Sequence, residues 1–279
     1  MIKKYLSIFA EIFKYLNMTQ IISLLNHKGG VGKTTSAVNI AAALHLCGKR
    51  ILVIDLDPQA NLTMHLGFET YSEFSPPGEK KPSFQTIYGA LRSEYALPIS
   101  NYKPDFDVVI STLDLASAEM ELLNVPGREY LLKELIQPYL EDYDYIIIDC
   151  PPSLGFLTLN ALSTSTHIII PVESSAFSLD GMTKLFKVID IVRYRLNPNF
   201  VSQKLLITKY DGRKSIQKQI TESIQSQRLA PVFQTIIRTN VALEEASMHR
   251  CPIFDLDKKS PGAIDYMNVC KEIINDPNT

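Results

Sequence analysis

The decapeptide Asn26-His27-Lys28-Gly29-Gly30-Val31-Gly32-Lys33-Thr34-Thr35 leaves this chain few folds to choose from. Apolar residues precede it (Ile21, Ile22, Leu24, Leu25), and a helix-compatible run from Thr35 to about Cys47 follows. A strand that passes through a glycine turn into Gly-Lys-Thr and a helix is the arrangement of a phosphate-binding loop. Glycines let the backbone curl so that successive N–H groups face phosphate oxygens, and the helix N-terminus adds its positive dipole end. In this reading Gly29, Gly30, Val31, Gly32 and Thr35 belong to the loop that cradles a nucleotide. Lys33 reaches its β- and γ-phosphates, and the Thr34 hydroxyl ligates Mg²⁺. The alternative is a strand–helix turn that binds nothing; the order and context of the residues favour the loop.

Two later segments put carboxylates where such a loop needs them. Arg50 to Ile54 is apolar on both sides of the chain, as a central parallel strand is, and it ends in Asp55-Leu56-Asp57-Pro58-Gln59. Ligands bind at the C-terminal ends of strands in open parallel sheets. Asp144 to Asp149 is a second buried strand with Asp149 at its tip. A capped strand end would account for that carboxylate by itself. Downstream of Gly-Lys-Thr it is instead placed to hold the hydration shell of the magnesium ion. Cys150 beside it reads as a small buried residue, since no base or resolving cysteine is near it in sequence.

Strand-like and helix-like stretches alternate to the end of the chain. Further strands are expected at Asp107–Ile110, His167–Val172 and Gln203–Thr208, and a strand–loop–helix at Thr235–Ala246. Helices are expected at Phe84–Leu91, Leu113–Leu123, Phe177–Arg195 and in a last segment ending near Ile274. Residues 69–86 are polar and rich in turn formers, a surface loop. The pattern specifies an α/β phosphate-loop NTPase, with a mostly parallel twisted sheet sandwiched between helices in one domain from 19 to 279. With 279 residues, 46% of them hydrophobic, the chain can fill such a core.

The loop also carries a residue its fold does not require, Lys28, and has His27 where the common pattern has glycine. Lys28-Gly29-Gly30-Val31-Gly32-Lys33-Thr34 resembles the deviant Walker A ATPases. Asp55-x-Asp57-Pro58-Gln59 with Asn61, and Pro151-Pro152-Ser153-Leu154-Gly155 through Asn160-Ala161-Leu162, are similar to the corresponding segments of ParA/Soj-type partition ATPases. The resemblance covers about residues 19–275. It implies an ATP hydrolase that forms a homodimer on ATP, with Lys28 reaching across the interface to the partner's nucleotide. It also implies that Asp57 positions or activates the attacking water and that Asp55 supports Mg²⁺ through water. Thr208, Tyr210 and Asp211 fall in the loop that lies near the base. The family's setting is cytoplasmic, with nucleoid association in the ATP state. Its cofactors are ATP and Mg²⁺, and its partners are non-specific DNA and a ParB-type centromere-binding protein that stimulates hydrolysis.

Charge bears on the DNA expectation. The whole chain has a net charge of −2, but between Lys184 and Arg228 ten basic residues face three acidic ones. Such an excess suits a phosphate backbone, although charge runs are commonly just solvated surface. The residues in question are Lys184, Lys187, Arg213, Lys214 and Lys218, with Arg238 beyond them; many family members carry a second arginine where this chain has Ala242. No helix-turn-helix unit is apparent, which argues against a sequence-specific operator. A MinD-like membrane-cycling ATPase and a ParA-like positioner of a protein cargo are the alternatives. The polar tail Ile274 to Thr279 offers no membrane helix, so a membrane role would fall to residues 1–17.

Residues 1–18 stand apart from the domain. Ile2, Tyr5, Leu6, Phe9, Ile12, Phe13 and Leu16 recur at helical spacing. Three readings stay open: an amphipathic helix on a membrane surface, a helix docked on a partner or on the domain, or an upstream extension with Met18 as the natural start. The four cysteines contain no Cys-x-x-Cys, which suits a reducing cytosol and argues against structural zinc and disulfides. No apolar run approaches the roughly 20 residues that span a bilayer.

Overall fold

In the computed structural model, residues 19–70, 85–174, 179–226 and 229–276 are described. The amphipathic segment 1–18 and most of the polar loop 69–86 lie outside them. In chain order the elements are β1 (Gln20–Leu24), α1 (Lys33–Leu46), β2 (Ile51–Asp55), α2 (Asn61–His65), α3 (Ile87–Leu91), β3 (Ile99–Lys103) and β4 (Phe106–Val109). Then come α4 (Ala118–Glu121), α5 (Leu131–Ile136), β5 (Tyr145–Asp149), α6 (Phe156–Thr164), β6 (His167–Glu173) and α7 (Leu179–Arg195). The chain continues with β7 (Ser202–Thr208), α8 (Ser215–Ser226), α9 (Val241–Met248), α10 (Ile253–Leu256) and α11 (Pro261–Ile274).

Among the described residues the seven strands form one sheet in the order β3-β4-β2-β5-β1-β6-β7. Every pairing is parallel except β3 with β4. Alternate side chains of the central strands feed two separate cores, which is why these strands read as unbroken apolar runs. On one face Ile21, Leu52, Ile54, Ile146, Ile148 and Ile168 pack with Leu162 of α6 and Leu185 of α7. On the other, Ile22, Leu24, Val53, Ile147 and Ile169 pack with Val38 and Ile40 of α1 and with Tyr266 and Val269 of α11. The register sets Asp149 level with Leu24 on one side and with Asp55 on the other. The two carboxylate tips and the start of the phosphate loop therefore meet at one end of the sheet.

Three local expectations differ from what the chain does. β3 was not evident, because its residues Ile99-Ser-Asn-Tyr-Lys are half-exposed and lack an apolar alternation; it is an antiparallel edge strand. Leu113–Leu123 is not one helix but a 3-10 turn over Leu113–Ser117 followed by the single turn of α4. Leu115, Ala118 and Leu122 are buried in the core while Leu113, Met120 and Leu123 are exposed, so the segment keeps an apolar face although its backbone passes from a 3-10 to an α turn at Ala118. Residues 235–237 do not add a strand; after Pro231, which has no N–H to give a ladder, the segment meets β7 through scattered contacts, the bridge of Leu205 with Val232 and the Ile237 amide on the Ile207 carbonyl.

A phosphate-loop site at the sheet's C-terminal edge

The loop leaves β1 and is fixed before it turns. Asn26 donates through Nδ2 to the Pro171 carbonyl on β6 (2.8 Å) and accepts through Oδ1 from the Lys28 amide (3.0 Å). It thus ties the loop to a neighbouring strand and closes an Asx-type turn. Gly30 and Gly32 both have positive φ, 76° and 87°, which residues with a side chain adopt only at a cost. Gly32 then caps α1 and, being glycine, offers no side chain to the first amides of that helix. Unsatisfied amides at a helix N-terminus, preceded by a glycine curl, form a ready anion site.

Lys33 is buried, and its ammonium donates to the Lys28 carbonyl (3.1 Å), so the lysine lies along its own loop. Burial lowers its pKa; the nearby Asp149, Cys150 and Asp57 oppose that. Thr34 donates from its hydroxyl to Oδ2 of Asp149 (2.6 Å). Asp149 is fully buried, and its other oxygen, Oδ1, has no partner among the described residues. Leaving a buried acceptor unpaired costs about 1–3 kcal/mol. Burial, and then the neighbouring Asp55 carboxylate, push the Asp149 acid well above the usual range. A hydroxyl and a carboxylate held together, with one lone carboxylate oxygen beside a phosphate cradle, suit the waters of a divalent cation.

Asp55 and Asp57, two residues apart, have different surroundings. Asp55 is fully buried; its Oδ2 accepts from the Thr63 amide (2.9 Å) and hydroxyl (2.7 Å), and its Oδ1 from the Asp57 amide (3.1 Å). Burial outweighs these bonds and pushes its acid up to about 6. The carboxylate fastens the turn after β2 to α2. Asp57 accepts through Oδ1 from the Gln59 amide (2.9 Å), while its carbonyl takes the Ser111 hydroxyl (2.9 Å). The turn is held tightly enough that Ala60 sits at φ 53°. Thr63 and Ser111 are the organising residues that sequence reasoning missed. No spacing rule marks them, because each acts through a contact between separate elements.

Around this centre the remaining candidates divide. Lys28 is exposed at the loop's entrance, and Thr35 is half-buried on the first turn of α1. Thr208, at the end of β7, donates to the Val31 carbonyl (2.8 Å) and so buttresses the phosphate loop from below. Tyr210 follows it, joined by backbone to Ile237. Asp211 is tied to Arg213 at 2.8 and 2.9 Å, which holds its acid down at about 2. Lys184, Lys187, Lys214 and Lys218 are all exposed on or beside α7 and α8. Arg238 is different: its guanidinium grips the buried Asp265 of α11 (2.7–3.2 Å). Cys150 is fully buried and the four cysteines are free thiols. No helix among the described residues is long and apolar enough to cross a membrane.

A family model described as an AAA domain matches residues 19–202. The sporulation initiation inhibitor protein Soj of Bacillus subtilis is 38% identical over 92% of this chain and 98% of its own. The chromosome partitioning protein ParA of Myxococcus xanthus is 37% identical over 91% and 88%. This chain belongs to the ParA/Soj family. Solved structures of the same fold include a plasmid partition protein from Borrelia burgdorferi bound to AMPPNP, at TM-score 0.75 and 25% identity over 92% of this chain and 98% of that one. Cobyrinic acid a,c-diamide synthase from Mycobacterium smegmatis, with an ATP analogue and magnesium, matches at TM-score 0.77 and 30% identity over 92% and 94%. Membership places this ParA/Soj-type chain in the NTPase superfamily with the partitioning proteins.

Proposed function

We propose that this chain is a Mg²⁺-dependent ATPase that dimerises on ATP, holds DNA non-specifically as a dimer and lets go after hydrolysis. In this role it moves or positions chromosomal or plasmid DNA in the cytoplasm, associating with the nucleoid while ATP is bound. A ParB-type partner would set the rate. The observation that carries the reading is the Thr34–Asp149 hydrogen bond with its unpaired Asp149 oxygen, under a glycine cradle that also holds Lys33. Bound there, Mg²⁺ would offset charge on the β- and γ-phosphate oxygens. Thr34 and Asp149 would hold the ion directly and through water, with Asp55 adding support behind them.

The chain's own groups do the rest by position and charge. The amides of Gly29 to Thr35 and the Lys33 ammonium hold the phosphates. The Asp57 carboxylate, fixed by the Gln59 amide, orients the attacking water and draws on its proton. Lys28 of the partner subunit would meet the charge that develops between the β- and γ-phosphates, so each site is complete only in the dimer. Thr208, Tyr210 and Asp211 would lie towards the base. DNA would run along Lys184, Lys187, Lys214 and Lys218, with Arg213 and Arg238 at its margins. The decisive test replaces Lys28 with Ala and follows size with ATP and with ADP. Dimer formation on ATP should be lost while the monomer still binds ADP; a variant that dimerises normally rules out the shared site.

A further inference from the structure

Cys47 and Cys270 are 223 residues apart in sequence, yet their sulfurs lie 3.8 Å from each other. Cys47 is exposed at the C-terminal cap of α1, where its amide bonds to the Ala43 and Leu44 carbonyls. Cys270 is fully buried on α11. The helices around them already form one unit: Ser36 of α1 and Tyr266 of α11 share a hydrogen bond of 3.0 Å. A disulfide needs its sulfurs near 2.05 Å, so the gap left to close is under about 2 Å. One thiol faces solvent and the other waits behind it, which is the arrangement of an attacking and a resolving cysteine.

We propose that Cys47 and Cys270 are a redox modification site, at which a peroxide closes a reversible disulfide between α1 and α11. The Cys47 sulfur attacks one peroxide oxygen; the O–O bond breaks, water leaves and Cys47 becomes a sulfenic acid. The Cys270 sulfur then attacks the Cys47 sulfur. The S–S bond forms, the S–O bond breaks, and the oxygen leaves as a second water with the Cys270 proton. Two thiols are oxidised by two electrons, and one hydrogen peroxide is reduced to two waters. Burial pushes the Cys270 thiol up, against the pull of Lys271 and Lys49, so Cys270 is suited to the second step and not to first attack. A cytosolic thiol pool would reopen the bridge, which makes it a transient mark of oxidative stress and not a structural staple. While closed, it fastens α11 to the helix whose first residues are Lys33 and Thr34.

The test treats the full chain with hydrogen peroxide under native conditions, then unfolds it in denaturant with iodoacetamide to block every remaining thiol, and maps peptides by mass spectrometry. One linked pair containing Cys47 and Cys270, two hydrogens lighter than the free peptides, is expected. The oxidised protein should melt about 5 °C higher, because the bridge closes a very long loop in the unfolded chain, and dithiothreitol should reverse the shift. Cys251→Ala should leave the bridge intact. Cys47→Ser, an exposed change that spares the fold, should abolish it. Cys47 found as a sulfinic acid, or linked to the Cys47 of a second molecule while Cys270 stays alkylatable, would overturn the proposal.

Discussion

At the phosphate end of the sheet, nearly every polar side chain is held by another buried group: Thr34 by Asp149, Asp55 by Thr63, Thr208 by the Val31 carbonyl, Asn26 by Pro171. Along α7 and α8, Lys184, Lys187 and Lys218 stand in solvent. Charges in the first region interact at short range with little screening, so their effects are large and depend on one another. Charges in the second are screened over about 10 Å in 0.1 M salt and act nearly independently. The same chain thus carries a site that fails as a whole and a surface that weakens by degrees.

Lys33→Ala should break the first kind most severely. Removing one preorganised charge donor from a phosphate site costs about 10²–10³-fold in turnover. Steady-state hydrolysis of Mg-ATP should show that loss, while the melting temperature holds steady or rises, because a buried cation has been removed. Activity within threefold of the parent would mean that the buried network is ordinary packing. Asp57→Ala should come next, lowering hydrolysis by about 10²–10⁴-fold as a general base does. Unlike Lys33→Ala it should keep ATP binding, so ATP-loaded protein should stay on plasmid DNA far longer in a dissociation assay. Normal release would place the water-orienting role on another carboxylate.

These two regions were not equally legible in the sequence. The phosphate loop and the strand tips bearing Asp55 and Asp149 could be read directly, because glycine turns, Gly-Lys-Thr and apolar strands are local patterns set by backbone geometry. Parallel order around them followed from strands that are apolar on both faces. Illegible were the links between distant elements: Thr63 and Ser111 bracing the turn after β2, Asp265 claiming Arg238, and Cys47 meeting Cys270. Nothing local marks such pairs. β3 escaped for a related reason, since a half-exposed edge strand has no burial pattern to display.

Thr63→Val tests one of those hidden links at a middle scale. It deletes the hydroxyl that donates to Asp55 and accepts from the Ser111 amide, a loss of about 1–3 kcal/mol. The sign of its pH dependence follows from Asp55, whose acid is pushed up to about 6 from its ordinary 3.8 by burial. A raised acid contributes stability that is complete below about 4 and disappears as pH rises through 6. The Thr63 hydroxyl favours the ionised form, so its removal should raise that acid further. Denaturation without magnesium should therefore show a larger loss at pH 8 than at pH 5. Equal losses at both values would mean that Asp55 keeps its proton throughout.

The smallest effects belong to the exposed lysines, and there the comparison is sharpest. Lys187→Ala should leave melting temperature and basal hydrolysis unchanged, since nothing buried depends on it. Its cost should appear only in ATP-dependent DNA binding, as a few-fold weakening that is the same for every sequence. If Lys187 contacts one phosphate, the slope of log affinity against log salt should fall by about 1, and Lys187→Ala with Lys218→Ala by about 2. Arg238→Ala should behave otherwise. It takes the guanidinium from the buried Asp265 and leaves it the residue's backbone amide, so stability should fall by about 1 kcal/mol before any DNA is added. An unchanged salt slope for the lysine pair would move the DNA surface off α7 and α8. A slope change for Arg238 with no loss of stability would show that its grip on Asp265 yields to phosphate.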